Sequence, residues 1–195
     1  MTPKQTDRIK NKIADIKKAL ASEKRKYGAY DDSRGLRYLP TKHVISLGDY
    51  SGGLAYIRWF YRNFADDTGF PDFLFEQTII LFKTGKLKEA EKKAFYTFCR
   101  NTYLFDKYFG RTLIPIDKWE GSNLAAPAFA QHLRYSSQQS ELSDFTHWLH
   151  NYTGSQKFVS LSADYIDLYK QLHTEQDQNR RLELLDRASQ LEESA

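Results

Sequence analysis

A chain of 195 residues with 41% hydrophobic residues, thirteen Phe, thirteen Tyr and three Trp holds enough apolar area for a substantial core, which excludes a wholly disordered protein. No run approaches about 18 consecutive apolar residues, which excludes a spanning helix, and the lone Cys99 excludes an internal disulfide or a cysteine-based metal cage. The net charge of +4 is unevenly placed: residues 1–28 carry nine Lys or Arg against three Asp or Glu, and the remainder sums to −2, which argues against a globally basic nucleic-acid binder.

The basic N-terminus has no apolar stretch behind it, so no secretory signal is expected and a cytoplasmic location is the default. The sequon Asn151-Tyr152-Thr153 then has no consequence. Residues 4–27 predict a first helix, with Ile9, Ile13, Ile16, Leu20 and Tyr27 as its apolar stripe and Lys and Arg on the other face. Thr2 and Pro3 are its start signal and Gly28 its stop. A loop is predicted over Tyr30–Gly35, then a short helix over Pro40–Leu47 and a turn at Gly48-Asp49-Tyr50.

Leu54–Phe64 predicts a strongly apolar helix. After the loop Ala65–Phe70, Pro71 opens a helix over Asp72–Lys83 that is apolar on nearly every side. Thr84-Gly85-Lys86 is a tight turn. Leu87–Arg100 has a charged face and an apolar one built from Leu87, Ala90, Ala94 and Phe98. A short helix is predicted over Asn101–Gly110. Residues 111–137 carry Pro115, Gly121 and Pro127 without a clean period, and read as a structured loop with a helical piece near 127–133. Ser140 or Ser143 is the expected cap of a helix to Tyr152, ended by Gly154. Ser155–Gln171 is helical by the spacing of Phe158, Leu161, Tyr165, Leu168 and Leu172. A polar last helix, 174–193, has Leu182, Leu185 and Leu191 as a thin stripe. No β-alternation persists, so the expected fold is all-α, one helical domain over 1–195 with a basic helix 1–28, a core 37–110, an irregular segment 111–137 and C-terminal helices 138–195.

Comparing the chain with itself aligns Gly48-Asp49-Tyr50-x-x-Gly53 with Gly85-Lys86-Leu87-x-x-Ala90, an offset of 37 residues against about 34 for a tetratricopeptide repeat. Glycine suits the turn, the apolar residue enters the next helix, and the small Gly53 or Ala90 lets paired helices approach. This predicts two related helix pairs, 37–64 and 71–100, in a short TPR-like array with helical extensions at both ends. Phe75, Ile79 and Phe82 would line the inner face of such an array. A helix apolar all round is buried all round, so the C-terminal region is expected to cover that face.

The stretch from Tyr30 to Asn123 resembles a widespread group of uncharacterised bacterial tetratricopeptide-repeat-like proteins. The matching pieces are Leu47-Gly48-Asp49-Tyr50, Trp59-Phe60 with Asn63–Gly69, Thr84–Ala90, Asn101-Thr102-Tyr103-Leu104 with Gly110, and Ile116-Asp117-Lys118-Trp119 with Ser122-Asn123. Ala65 departs from the pattern, where such repeats often carry Pro. The resemblance implies a helical-repeat fold and no particular chemistry.

No catalytic, cofactor or metal constellation is legible. Asp67-Thr68-Gly69 spells the aspartic-protease triplet, but that chemistry needs two carboxylates sharing a proton, and a turn is expected here. His147 and His150 share a helical face without a third ligand. Ser51-Gly52-Gly53 lacks the Lys and Ser/Thr of a phosphate loop, and Cys99 reads as buried and inert. The basic first helix lacks the Trp or Phe of an interfacial helix and the aromatic interleaving of a base-stacking surface. The leading expectation is therefore a non-catalytic scaffold that binds another protein, with no membrane or nucleic-acid partner and no cofactor. Its candidate anchors are Tyr56, Arg58, Trp59 and Arg62, which crowd one helix, together with Asn101, Trp119 and Asn123. Two alternatives stand beside it. One is an immunity or antitoxin-like protein that caps a toxin. The other is an enzyme with a site in the 103–135 segment, built from Asp117, Glu120, His132 and Arg134.

Overall fold

The computed structural model describes residues 1–30 and 32–194; the predicted Tyr30–Gly35 loop includes Asp31, which lies outside the described residues. Among the described residues the regular structure is helical, with no strand. No helix of the described residues is long and apolar enough to cross a membrane. The chain gathers into two compact units: Met1–Gly69 with Glu76–Lys86, and Phe70–Phe75 with Leu87 onward.

In the first unit, α1 spans Pro3–Tyr27. Its start is a capping box, with the Gln5 amide donating to Thr2 Oγ1 at 3.3 Å and the Thr2 amide to Gln5 Oε1 at 2.8 Å. Gly28, at φ 73°, ends it in the left-handed conformation. Ile16 and Leu20 are buried, and Ile9 and Ile13 half-buried. Tyr27 departs from the expected stripe and is 58% exposed; its ring lies instead under Lys26 Nζ, 4.9 Å away.

A 3-10 turn, Leu36–Tyr38, leads into α2 (Leu39–Leu47), and α3 follows as Tyr50–Asn63. That start is four residues before the expected Leu54. Ser51-Gly52-Gly53 has poor helix propensity, but Asp49 overrides it by accepting the Gly52 amide at 2.9 Å as the N-cap. Gly53 is held by close packing. A Cβ there would lie 2.9 Å from Val44 Cγ2 and 3.0 Å from Ile80 Cδ1, so any larger residue requires those side chains to shift. Helix α4 is Pro71–Lys83, and every residue from Phe73 to Leu81 is buried.

The turns after α2 and α4 share one geometry. Gly48 (φ 68°) donates to the Ile45 carbonyl and Asp49 to Val44, at 2.9 and 3.0 Å. Thirty-seven residues on, Gly85 (φ 73°) donates to Phe82 and Lys86 to Leu81, both at 2.9 Å. Each is a left-handed glycine cap that satisfies two terminal carbonyls.

Asp67 of the Asp-Thr-Gly triplet anchors a turn. It accepts from Arg37 Nε at 2.6 Å, Tyr38 OH at 2.6 Å and the Gly69 amide at 2.8 Å. Burial pushes its carboxyl up, but these hydrogen bonds outweigh burial and the net shift is down. The Tyr38 phenol is pushed up to about 12 by burial and by the same carboxylate.

In the second unit, α5 is Leu87–Arg100, as the sequence predicts. Asn101 then stops it. Its side chain donates to the carbonyls of Leu124 and Ala126 at 2.7 and 3.0 Å and accepts the Tyr103 amide at 3.0 Å. The next helix is therefore only α6, Leu104–Tyr108, shorter than the predicted Asn101–Gly110. The irregular segment holds a 3-10 turn at Asn123–Ala125 and α7 at Pro127–Ala130.

A 3-10 turn at Ser140–Leu142 runs into α8, Ser143–Thr153, so neither Ser140 nor Ser143 caps it. Ser155 does cap α9 (Gln156–Thr174), accepting the Phe158 amide at 3.2 Å. In α10 (Gln178–Ser194) the buried pair is Leu184 and Ala188, one turn apart, while Leu182 of the predicted stripe is 60% exposed.

Phe75, fully buried, stands in an aromatic cluster with Tyr108, Phe145, Tyr135 and Phe105, at centroid distances of 5.0, 5.7, 5.9 and 6.1 Å. A neighbouring group joins Phe98, Phe105, Phe158 and Tyr165. Tyr165 OH donates to the Cys99 carbonyl at 2.7 Å, and the Cys99 side chain is buried. Burial, the largest influence, raises the thiol well above its ordinary range.

Candidate functional site

Helix α3 turns two kinds of residue to two sides. Tyr56, Ile57 and Phe60 are buried, whereas Ala55, Arg58 and Arg62 are exposed. Trp59 sits on the boundary and is half-buried. Beside it, α1 and α3 flank a groove of about 360 Å³, lined by Lys17, Ala21, Tyr30, Gly52, Ala55, Tyr56 and Trp59. Ala21 and Ala55 are small, and this leaves the groove open. Ala55 also borders a shallow depression formed with Arg58 and Arg62.

The floor is aromatic and held in place. Trp59 packs against Tyr56 at 5.2 Å and meets Tyr30 edge-on at 5.8 Å, with Phe64 behind it at 5.9 Å. Tyr56 OH donates to the Arg37 carbonyl at 2.7 Å, and burial pushes its phenol far up. Asn63 Nδ2 donates to the Trp59 carbonyl at 2.7 Å, while Asn63 Oδ1 accepts from Tyr30 OH at 3.2 Å and from Lys24 Nζ at 3.4 Å. Asn63 thereby ties α3, Tyr30 and α1 together.

The surroundings are cationic. Lys24 Nζ lies 4.9 Å from the Tyr30 centroid. Lys17 stands two turns before it on α1, and Arg58 and Arg62 line the adjoining depression that shares Ala55, with Arg62 Nε donating to the Arg58 carbonyl at 3.2 Å. None of the described lining residues is acidic. The nearby Asp49 is committed to capping α3, and Glu23 lies 3.9 Å from Arg34.

The sequence picks out the α3 members Tyr56, Arg58, Trp59 and Arg62, and these do stand together on one helix. It passes over Lys17, Lys24, Tyr30 and Asn63. The seven-residue step from Lys17 to Lys24 is a usable signal, because two helical turns return a side chain to the same face. Tyr30 carries no signal, since its position follows from how the chain leaves Gly28.

Asn101, Trp119 and Asn123 belong to the second unit. Asn101 is buried and its amide is spent on the loop bonds given above. The Trp119 amide donates to the Tyr169 carbonyl at 2.8 Å, its ring stacks on Tyr169 at 5.9 Å, and Arg181 covers it at 5.4 Å. Trp119 thus fastens the irregular segment to α9. Asn123 is exposed at the first position of its 3-10 turn.

The residues named for an enzymatic site do not share one environment. The Asp117 side chain is 94% exposed, 3.4 Å from His173 Nε2, and His132 and Arg134 are exposed. Glu120 is instead 3.8 Å from the buried Lys118, whose ammonium lies 5.3 Å from the Tyr103 centroid. Burial pulls the Lys118 titration down, partly offset by Glu120. His147 meets Asn151 Nδ2 at 3.1 Å and His150 packs edge-on to Phe109 at 6.0 Å. Among the described residues no group of three or more His, Cys, Asp or Glu stands close enough to hold a metal.

The chain matches no protein-family profile, no curated protein and no solved structure.

Proposed function

We propose that this chain is a non-catalytic protein-interaction domain, and that it binds its partner at the groove between α1 and α3. The observation that carries the reading is Trp59, half-buried and flanked by the exposed Arg58 and Arg62. Trp, Tyr and Arg are the residue types that dominate binding energy at protein interfaces, because they combine large contact area with few rotatable bonds or with forked hydrogen bonding. The helix pairs joined at Gly48 and Gly85 are read as a short tetratricopeptide-like array. The support is the matching pair of capping bonds at two turns 37 residues apart, with a buried small residue, Gly53 or Ala90, five residues beyond each glycine.

A photo-crosslinking side chain introduced at Ala55 tests the interaction in the native host. A protein adduct is expected at Ala55, lost in the Arg58→Glu/Arg62→Glu double variant and not formed from a control position at Leu182 of α10. Absence of any protein adduct at Ala55 would overturn the reading.

A further inference from the structure

We infer that the groove between α1 and α3 takes an acidic protein segment through a single aromatic side chain seated over Trp59. This rests on the protein-interaction reading above and adds the chemistry of the partner.

The size of the groove comes first. About 360 Å³ between two helices lies at the lower end of the range for ligand clefts, with room for a large side chain and too little for a packed helix. The small residues Ala21 and Ala55 stand on opposite helices and set that width. An aromatic guest matches the floor, since edge-to-face and offset ring contacts add to the gain from area alone.

Charge comes second. Lys17 and Lys24 stand on α1, Arg58 and Arg62 line the adjoining depression that shares Ala55, and none of the described residues lining the groove is acidic. Of the acidic residues near these positions in sequence, Asp49 caps α3 at the Gly52 amide, Asp32 is held by Arg37 Nη1 at 3.3 Å and by the Leu36 and Arg37 amides at 2.7 Å, and Glu23 lies 3.9 Å from Arg34. A cationic guest would face like charge from both helices. An anionic guest meets complementary potential, which favours encounter and disfavours wrong partners. Carboxylates before and after the aromatic anchor would reach one helix each, with arginine offering a forked donor and lysine a point charge.

A single-stranded nucleic acid is also anionic and also stacks on rings, but it needs open ring faces in succession. Here Tyr30 meets Trp59 at 80° between planes, and Trp59 meets Phe64 at 72°, so these rings do not present parallel faces in succession. The favoured occupant is therefore an acidic peptide segment.

Fluorescence anisotropy on the full chain tests this with four labelled probes. They are a peptide of Asp and Glu around one central Phe, the same peptide with Ala for Phe, the same peptide with Lys for Asp and Glu, and oligothymidylate. The acidic Phe peptide is expected to bind, with affinity falling about tenfold or more for the Ala peptide and for the Lys peptide. Ala55→Leu, which fills the groove from an exposed helical position, and the Arg58→Glu/Arg62→Glu variant are each expected to weaken it by at least a similar factor, with helical circular dichroism unchanged. Binding that ignores Ala55→Leu would overturn the inference. So would oligothymidylate binding that Ala55→Leu abolishes, since the groove would then serve nucleic acid. A crosslinked partner at Ala55 combined with no affinity for the acidic Phe peptide would overturn the inference and leave the interaction reading standing. Failure of both would remove both.

Discussion

The aromatic clusters of the two units are alike in composition and differ in exposure at their edges. Phe75, Tyr108 and Phe145 are fully buried, whereas Trp59 and Tyr30 are half-buried at the edge of a groove. A sealed ring contributes its area to folding. A ring left half-open has unspent area, and that is what a partner can use. The difference separates residues that hold the fold from residues available for recognition, although both are aromatic residues on helices.

The largest test of this contrast is a pair of truncations. Phe145→Ala is expected to destabilise the protein by about 3–5 kcal/mol, through lost burial and the cavity left behind. Trp59→Ala should cost about 1–2 kcal/mol, since its ring is already partly hydrated. Denaturant midpoints of both variants decide the matter, and equal losses would break the comparison.

Next in size is Asp67→Asn, expected to cost about 2 kcal/mol by weakening charge-assisted bonds to Arg37 and Tyr38. The pH dependence sharpens it. The folded carboxyl titrates below its unfolded value of about 3.9, so its stabilisation is fully present above that pH and is lost as pH falls through the folded value. Wild-type stability should therefore drop on acidification below about pH 4, and the Asn variant should drop less steeply when denaturation is followed across that range. Glu192 of the second unit behaves in the opposite sense. Burial raises its carboxyl in spite of Arg100 at 2.6 Å, so in this respect the two carboxylates respond to pH with opposite sign.

The smallest expected effect is Asp49→Ala, about 1 kcal/mol from loss of the α3 cap. It should fray the first turn of α3, including Gly52 in the groove, and weaken the peptide binding described above. Amide exchange at Gly52 and Gly53 reads the fraying directly.

Much of the helical layout was legible because it depends on local chemistry. Thr2 with Pro3 and Gly28 bracket α1, and Leu87–Arg100 matches α5 end to end. Misjudged boundaries trace to single side chains whose partners are distant or unusual. Asp49 draws Ser51-Gly52-Gly53 into a helix against propensity, and Asn101 reaches Leu124 and Ala126 more than twenty residues on. In α10 the heptad-like leucines suggested one face, but the packing uses Leu184 with Ala188, and alanine is a weak hydrophobic signal. The candidate site was half legible. Tyr56, Arg58, Trp59 and Arg62 share one helix and so share a sequence window. Tyr30, Asn63 and the lysines of α1 join them only through tertiary contacts that no local pattern records.

The sheltered thiol of Cys99 makes the molecule its own clock. With the side chain 5% exposed and the thiol held protonated by burial, an alkylating reagent meets almost no thiolate in the closed protein. Reaction must wait until α5 opens, so the labelling rate counts excursions of the second unit away from its closed state. One naturally placed sulfur thus times the breathing of a helix, with no added probe.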